Sequence, residues 1–190
     1  MGTLQPEQYF NDFHNILQAC LGTCAQDQSL HQGIALLKET GQQGKKIILI
    51  GNGGSSAIAE HMAIDLTKNA GLRAMAFSGS PLLTTFANDF GYERAYAKAI
   101  DAFADPGDVL MAISSGGTSQ NILNGCAAAK LKKMKVITFS GFAADNPLRR
   151  TGDVNFWVDS RAFGYVEMIH NLLIHYMNDA IIGKAEYMIR

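Results

Sequence analysis

Apolar positions in this chain follow two different rhythms. Between about Pro6 and Glu39, Tyr9, Phe10, Phe13, Ile16, Leu17 and Cys20 recur at three- and four-residue steps, and Leu30, Ile34 and Leu37 form a second stripe. That spacing predicts helix with one apolar face, closed by Gly41 and Gly44. From residue 45 the pattern changes to short continuous apolar runs: KKIILI (45–50), LRAMAF (72–77), DVLMAIS (108–114), KVITFSG (135–141) and VNFWVDS (154–160). Such runs suit parallel strands buried on both faces. Helical stretches separate most of them, at Ser56–Lys68, about Pro81 to Ala104, and Ser119–Lys133; a long helix, Tyr165–Ile182, follows the last. Strands alternating with helices predict βαβ crossovers and an α/β fold, a parallel five-stranded sheet sandwiched between two helical layers. The chain reads as one domain, residues 1–190, in which residues 1–44 are an added N-terminal helical arm.

Composition narrows the function classes. Apolar residues make up 47% and charged residues 17%, against about 25% charged in ordinary domains, which excludes a disordered chain. The apolar face of the arm packs either on its own sheet or in an oligomer, and the low charged fraction favours the oligomer. A net charge of -1 supplies no basic field for nucleic acid and no basic tail for a membrane. The three cysteines, Cys20, Cys24 and Cys126, form no disulfide framework, so a reducing cytosol is expected. The start, MGTLQPEQYFNDFHNIL, lacks the pattern of a signal peptide, and no apolar run reaches membrane-spanning length.

Two strand ends carry turns rich in glycine and hydroxyls: Gly51-Asn52-Gly53-Gly54-Ser55-Ser56 and Ser114-Ser115-Gly116-Gly117-Thr118-Ser119. Ligands of open parallel sheets bind at the carboxyl ends of the strands. Glycine lets the backbone come close, and N–H groups at a helix start favour an anion. Neither turn is a nucleotide P-loop or a dinucleotide fingerprint; the pattern suits a phosphomonoester. His61 and Asp65, four apart on the helix after the first turn, are either a surface pair or share a metal or substrate. Glu167, His170 and His175 fall on the terminal helix, with His170 expected in the core. Cys126 has no histidine nearby in sequence to make it a nucleophile, and Asn88 and Asp89 read as a turn before Gly91.

GNGGSS after a buried strand, ISSGGTS after a later one and the intervening Ala87-Asn88-Asp89 resemble the sugar isomerase (SIS) domain family over nearly the whole chain. Within it the chain is similar to the phosphoheptose isomerases. That resemblance implies the SIS fold and an aldose–ketose isomerisation of sedoheptulose 7-phosphate to D-glycero-D-manno-heptose 7-phosphate by enediol-type proton transfer. It also implies a cytoplasmic homotetramer serving lipopolysaccharide precursor biosynthesis, with no nucleic-acid or membrane partner. A zinc ion would be held by His61, Asp65, Glu167 and His175, with Asp65 the base and His175 the acid. The substrate would meet Asn52, Gly53, Gly54, Ser55, Asn88, Asp89, Ser114, Ser115, Ser119 and Glu167. Asp65 stands where the family has glutamate, Glu167 where it has glutamine, Gly164 where many members have aspartate and Gly116 where a serine lines the loop. The resemblance extends to a non-catalytic relative that associates with the bacterial replication initiator and lacks the glutamate and the terminal histidine. This chain keeps His61, His175 and carboxylates at the other two positions, which favours an enzyme, and the Asp65, Gly116 and Gly164 departures leave an isomerase of another phosphosugar as an alternative.

Helix geometry adds an independent constraint. Residues eight apart lie about 12 Å apart along the axis and about 80° around it. Glu167 and His175 of one helix would therefore be stretched to reach one ion, which points either to Glu167 preceding the regular helix or to a second subunit completing the site.

Overall fold

The structure is a computed structural model that describes residues 4–186; the outermost residues of the expected 1–190 domain lie outside the described residues. The elements, in chain order, are α1 (Pro6–Asp27), α2 (Ser29–Gln42), β1 (Lys46–Gly51), α3 (Gly54–Lys68), β2 (Arg73–Ala76), α4 (Ser80–Phe90), α5 (Ala95–Phe103), β3 (Val109–Ser114), α6 (Gln120–Leu131), β4 (Lys135–Gly141), β5 (Val154–Val158) and α7 (Phe163–Ile182). The five strands are all parallel, in the order β2-β1-β3-β4-β5. Interior strands β1, β3 and β4 are buried along almost their whole length, as their unbroken apolar runs require.

Alternate strand residues feed two cores. Ile47, Leu49, Met111, Ile113, Ile137 and Phe139 pack with α1, α2, α3 and α7. Ile48, Ile50, Leu110, Ala112 and Val136 pack with α5 and α6, and with α4 at the margin. The arm uses its stripe on its own sheet: Phe13, Ile16, Leu17, Cys20 and Leu37 join the first core, while Phe10 and Leu21 stay exposed.

The structure divides the helical arm and corrects two other sequence expectations. The arm is two helices, because Gln28 adopts the left-handed region (φ 56°) and ends α1. The stretch from Pro81 to Ala104 is also two helices, broken where Gly91 takes φ 83° and a short 3-10 turn, Tyr92–Arg94, follows. Asn88 and Asp89 consequently lie in the last turn of α4 instead of a preceding loop, with Asn88 Nδ2 donating to Asp89 Oδ1 at 2.9 Å.

The strand order reverses between β1 and β3, where Gly51 pairs with Ile113. Both glycine–hydroxyl loops leave the sheet at this point, which opens a crevice between them. At the other end of the sheet, fully buried Asp108 accepts from the N–H of Lys46 at 2.8 Å and of Asp105 at 2.8 Å, and pairs with Lys46 Nζ at 3.0 Å.

Candidate active site

The two loops line a cavity of about 140 Å³ with Asn52, Ser55, Ser114, Ser115, Gly116, Ser119, Phe163 and Glu167. Pockets that enclose a drug-sized ligand run to about 300–1,000 Å³, so this one takes a single polar end of a molecule. Its lining is rich in hydroxyls and, among the described residues, holds no lysine or arginine. Helices α3 and α6 both begin at the crevice, so their first N–H groups, which lack intrahelical partners, and their dipoles favour an anion there. Ser114 and Ser119 hydroxyls lie 3.3 Å apart. Behind the loop, Asn146 is buried and donates to the carbonyls of Gly141 (3.0 Å) and Ala143 (2.8 Å), while the Leu148 N–H donates to the Gly117 carbonyl at 3.1 Å.

A second, more open cavity of about 310 Å³ adjoins the first. Gly54, Ala57, Ile58, His61, Glu167, Met168 and Asn171 line it. Glu167 borders both spaces, with its carboxylate against Gly54. The larger cavity leads to His61, and there α3 and α7 bring three donors together. His61 Nε2 lies 3.4 Å and His175 Nδ1 3.7 Å from Asp65 Oδ2, and the three ligand atoms fall within 4.8 Å of one another. The imidazoles meet edge to face, with centroids 5.1 Å apart. Asn69 Nδ2 donates to the other carboxylate oxygen, Oδ1, at 3.2 Å, which leaves Oδ2 turned to both histidines.

Two of the three separations in this donor set match a tetrahedral metal. With ligand bonds of about 2.0–2.1 Å, the edges of a zinc tetrahedron are about 3.3 Å, close to the two nitrogen–oxygen separations. Three protein donors with a position left open is the pattern of catalytic zinc sites. Glu167 is not in the group. It lies within α7, whose first residue is Phe163, so the option that it precedes the regular helix is removed.

The expected residues thus separate into two neighbouring clusters: Asn52, Ser55, Ser114, Ser115, Ser119 and Glu167 at one cavity, His61, Asp65 and His175 beyond the other. Gly53, at φ 54°, and Gly54 shape the first turn. Asn88 and Asp89 are exposed and line neither cavity. His170 is core: its Nε2 donates to the Ser140 carbonyl at 3.0 Å, and burial pushes its pKa down to about 4. Sequence reasoning missed Asn69, Phe163, Tyr92 and Asn121. An asparagine in the first turn of a helix, where its side chain can bond to nearby backbone, was the available signal for Asn121.

The sequence model described as SIS domain matches residues 8–141. The chain belongs to the SIS domain family. This SIS domain is 37% identical over 160 residues to the phosphoheptose isomerase of Thiobacillus denitrificans, spanning 80% of this chain and 81% of the relative. It is 36% identical over 173 residues to that of Photorhabdus laumondii, spanning 87% and 88%. Among solved structures, the SIS domain resembles the phosphoheptose isomerase of Neisseria gonorrhoeae with a TM-score of 0.85 and 29% identity, over 92% of this chain and 96% of that one. No described helix is long and apolar enough to cross a membrane.

Proposed function

We propose that this chain is an aldose–ketose isomerase that interconverts sedoheptulose 7-phosphate and D-glycero-D-manno-heptose 7-phosphate. The observation that carries the reading is the pair of adjoining subsites: a hydroxyl-lined anion pocket, and a His–Asp–His cluster reached past Glu167. On α3, Ser55 and Asp65 are ten residues apart, which separates their backbones by about 15 Å along the axis before the side chains reach toward the substrate. A linear sugar with phosphate at one end and its reacting carbons at the other suits that layout. Relatives named for this activity match most of the chain.

In this reading Ser55, Ser114, Ser115 and Ser119, with the loop N–H groups, hold the phosphate. Asn52 lines the same cavity beside them, while Gly53, Gly54, Glu167 and, from outside both cavities, Asn88 and Asp89 serve the rest of the substrate. The Asp65 carboxylate carries the proton between C1 and C2, and the His175 imidazole serves the neighbouring oxygens as acid. His61, Asp65 and His175 would hold a zinc ion, whose chemistry is to polarise the substrate oxygens. Glu167 lies outside this group, on the wall of the cavity that leads to it. Met168, Leu172 and Tyr176 form an exposed apolar row on α7, and Ile64 is exposed on α3; we assign these apolar surfaces to a cytoplasmic homotetramer that supplies a lipopolysaccharide precursor.

The test is incubation with sedoheptulose 7-phosphate in deuterated water, followed by NMR and metal analysis. Formation of the aldose with deuterium at C1 or C2 is expected. Zinc-loaded protein that exchanges no proton on any phosphosugar would sink the isomerase in favour of a binding module. Light scattering on a size-exclusion column tests the assembly, and a stable monomer at micromolar concentration would refute it.

A further inference from the structure

The two loops are joined by a pair of side-chain amides whose orientation can be traced to the backbone. Asn121, the second residue of α6, is 2% exposed. Its Oδ1 accepts from the Ile122 N–H at 3.0 Å. A backbone donor cannot exchange roles, so this bond distinguishes oxygen from nitrogen in the Asn121 amide. Asn121 Nδ2 then donates to Asn52 Oδ1 at 2.8 Å, and Asn52 Nδ2 donates back to Asn121 Oδ1 at 2.9 Å. The Tyr92 hydroxyl donates to the same Asn52 Oδ1 at 2.8 Å.

The Asn52 oxygen therefore takes two donors, which fills its lone pairs. A half-turn of its amide would set oxygen against oxygen and nitrogen against nitrogen. Asn52 Nδ2 spends one hydrogen on Asn121 and keeps a second, and Asn52 lines the serine cavity. We propose that Asn121 is a positioning residue: by pairing with Asn52 it commits that amide to offer N–H, and not its carbonyl, to a phosphoryl oxygen in the serine cavity. The cavity would then select groups rich in acceptors. The inference rests on reading this cavity as the phosphate end of the site.

The test is a double-mutant cycle on the full chain, read by the Kd of inorganic phosphate, by KM and kcat with sedoheptulose 7-phosphate, and by the thermal melt. Asn121→Leu keeps the side chain's approximate shape and removes both amide bonds, while the Ile122 N–H retains the Ser119 carbonyl at 3.1 Å. It should raise phosphate Kd and substrate KM by one common factor, about tenfold, with kcat little changed. Tyr92→Phe, on an exposed residue, should act in the same direction by about two- to threefold. In an Asn52→Ala background either change should have no further effect, because it acts through Asn52. Additive effects, or parent affinity in a folded Asn121→Leu protein, would overturn the proposal; should that variant not fold, the Tyr92→Phe cycle decides by the same criterion. A parent that binds phosphate yet turns over no sugar phosphate would refute the isomerase alone, leaving the phosphate cycle to judge Asn121. A parent that binds no phosphate would overturn both.

Discussion

Glu167 lies so close to Gly54 that a Cβ on residue 54 would fall 2.4 Å from its Oε2. The side chain therefore owes its place to a missing methyl group on the neighbouring helix. Gly54→Ala would displace a flexible carboxylate, which costs little stability, and at the first residue of α3 only part of alanine's interior helix preference of about 1 kcal/mol over glycine applies. Glu167 borders both cavities, so a shift to either side enters space the substrate needs. The expected result is an unchanged or raised melting temperature with kcat/KM at least about tenfold lower. Parent kinetics in this variant would disconnect Glu167 from the site.

Removal of donors should separate metal from fold. Asp65→Asn and His175→Ala are each expected to lose bound zinc and at least about 100-fold in turnover, with native circular dichroism. Asn69→Ala leaves all three donors in place but frees Asp65 Oδ1, and should weaken zinc by about 10- to 100-fold. Metal analysis after dialysis against a graded chelator measures both effects.

His170 gives the fold an acid limit. Its Nε2–H is committed to the Ser140 carbonyl, and its Nδ1 has no hydrogen-bond partner. Burial holds the folded-state pKa at about 4, below the ordinary 6.5. The unfolded chain takes up the proton first, so stability should fall as pH drops from about 6.5 to 4 and level off below. The contribution at stake is roughly 3 kcal/mol. Denaturation curves across that range should show the slope in the parent, and His170→Gln, which keeps an N–H for Ser140, should flatten it.

Asp108 should matter to stability and not to chemistry. Its carboxylate is fully buried, answers two backbone N–H groups and pairs with Lys46. Asp108→Ala leaves a largely buried ammonium with weaker compensation, at a cost of about 3 kcal/mol or more. The site lies at the opposite end of the strands, so KM of the folded fraction should not move.

What could be read from sequence follows from how local each signal is. Ile47–Ile50 and Val109–Ile113 announce buried strands because both faces are covered. The two loops follow from composition at strand ends. The break at Gln28 was not legible, since glutamine carries no preference for the left-handed region that its surroundings impose. Gly91 was visible, yet the apolar spacing around it continued and masked the end of α4. His61 and Asp65 share a helix face by spacing alone, whereas the approach of His175 came only from family resemblance. The Glu167–Gly54 and Asn121–Asn52 contacts join residues far apart in the chain, and no local pattern encodes them.

The serine cavity has a consequence for how ionic strength acts. Proteins that grip phosphate with lysine and arginine lose affinity as salt screens the attraction. Here hydroxyls and backbone dipoles face the anion, and the one ionisable residue on the wall, Glu167, carries the same sign as the ligand. Added sodium chloride screens the helix dipoles and this repulsion together. Phosphate binding should therefore change less with salt than at a site lined by lysine or arginine, which makes this an anion site of low salt sensitivity.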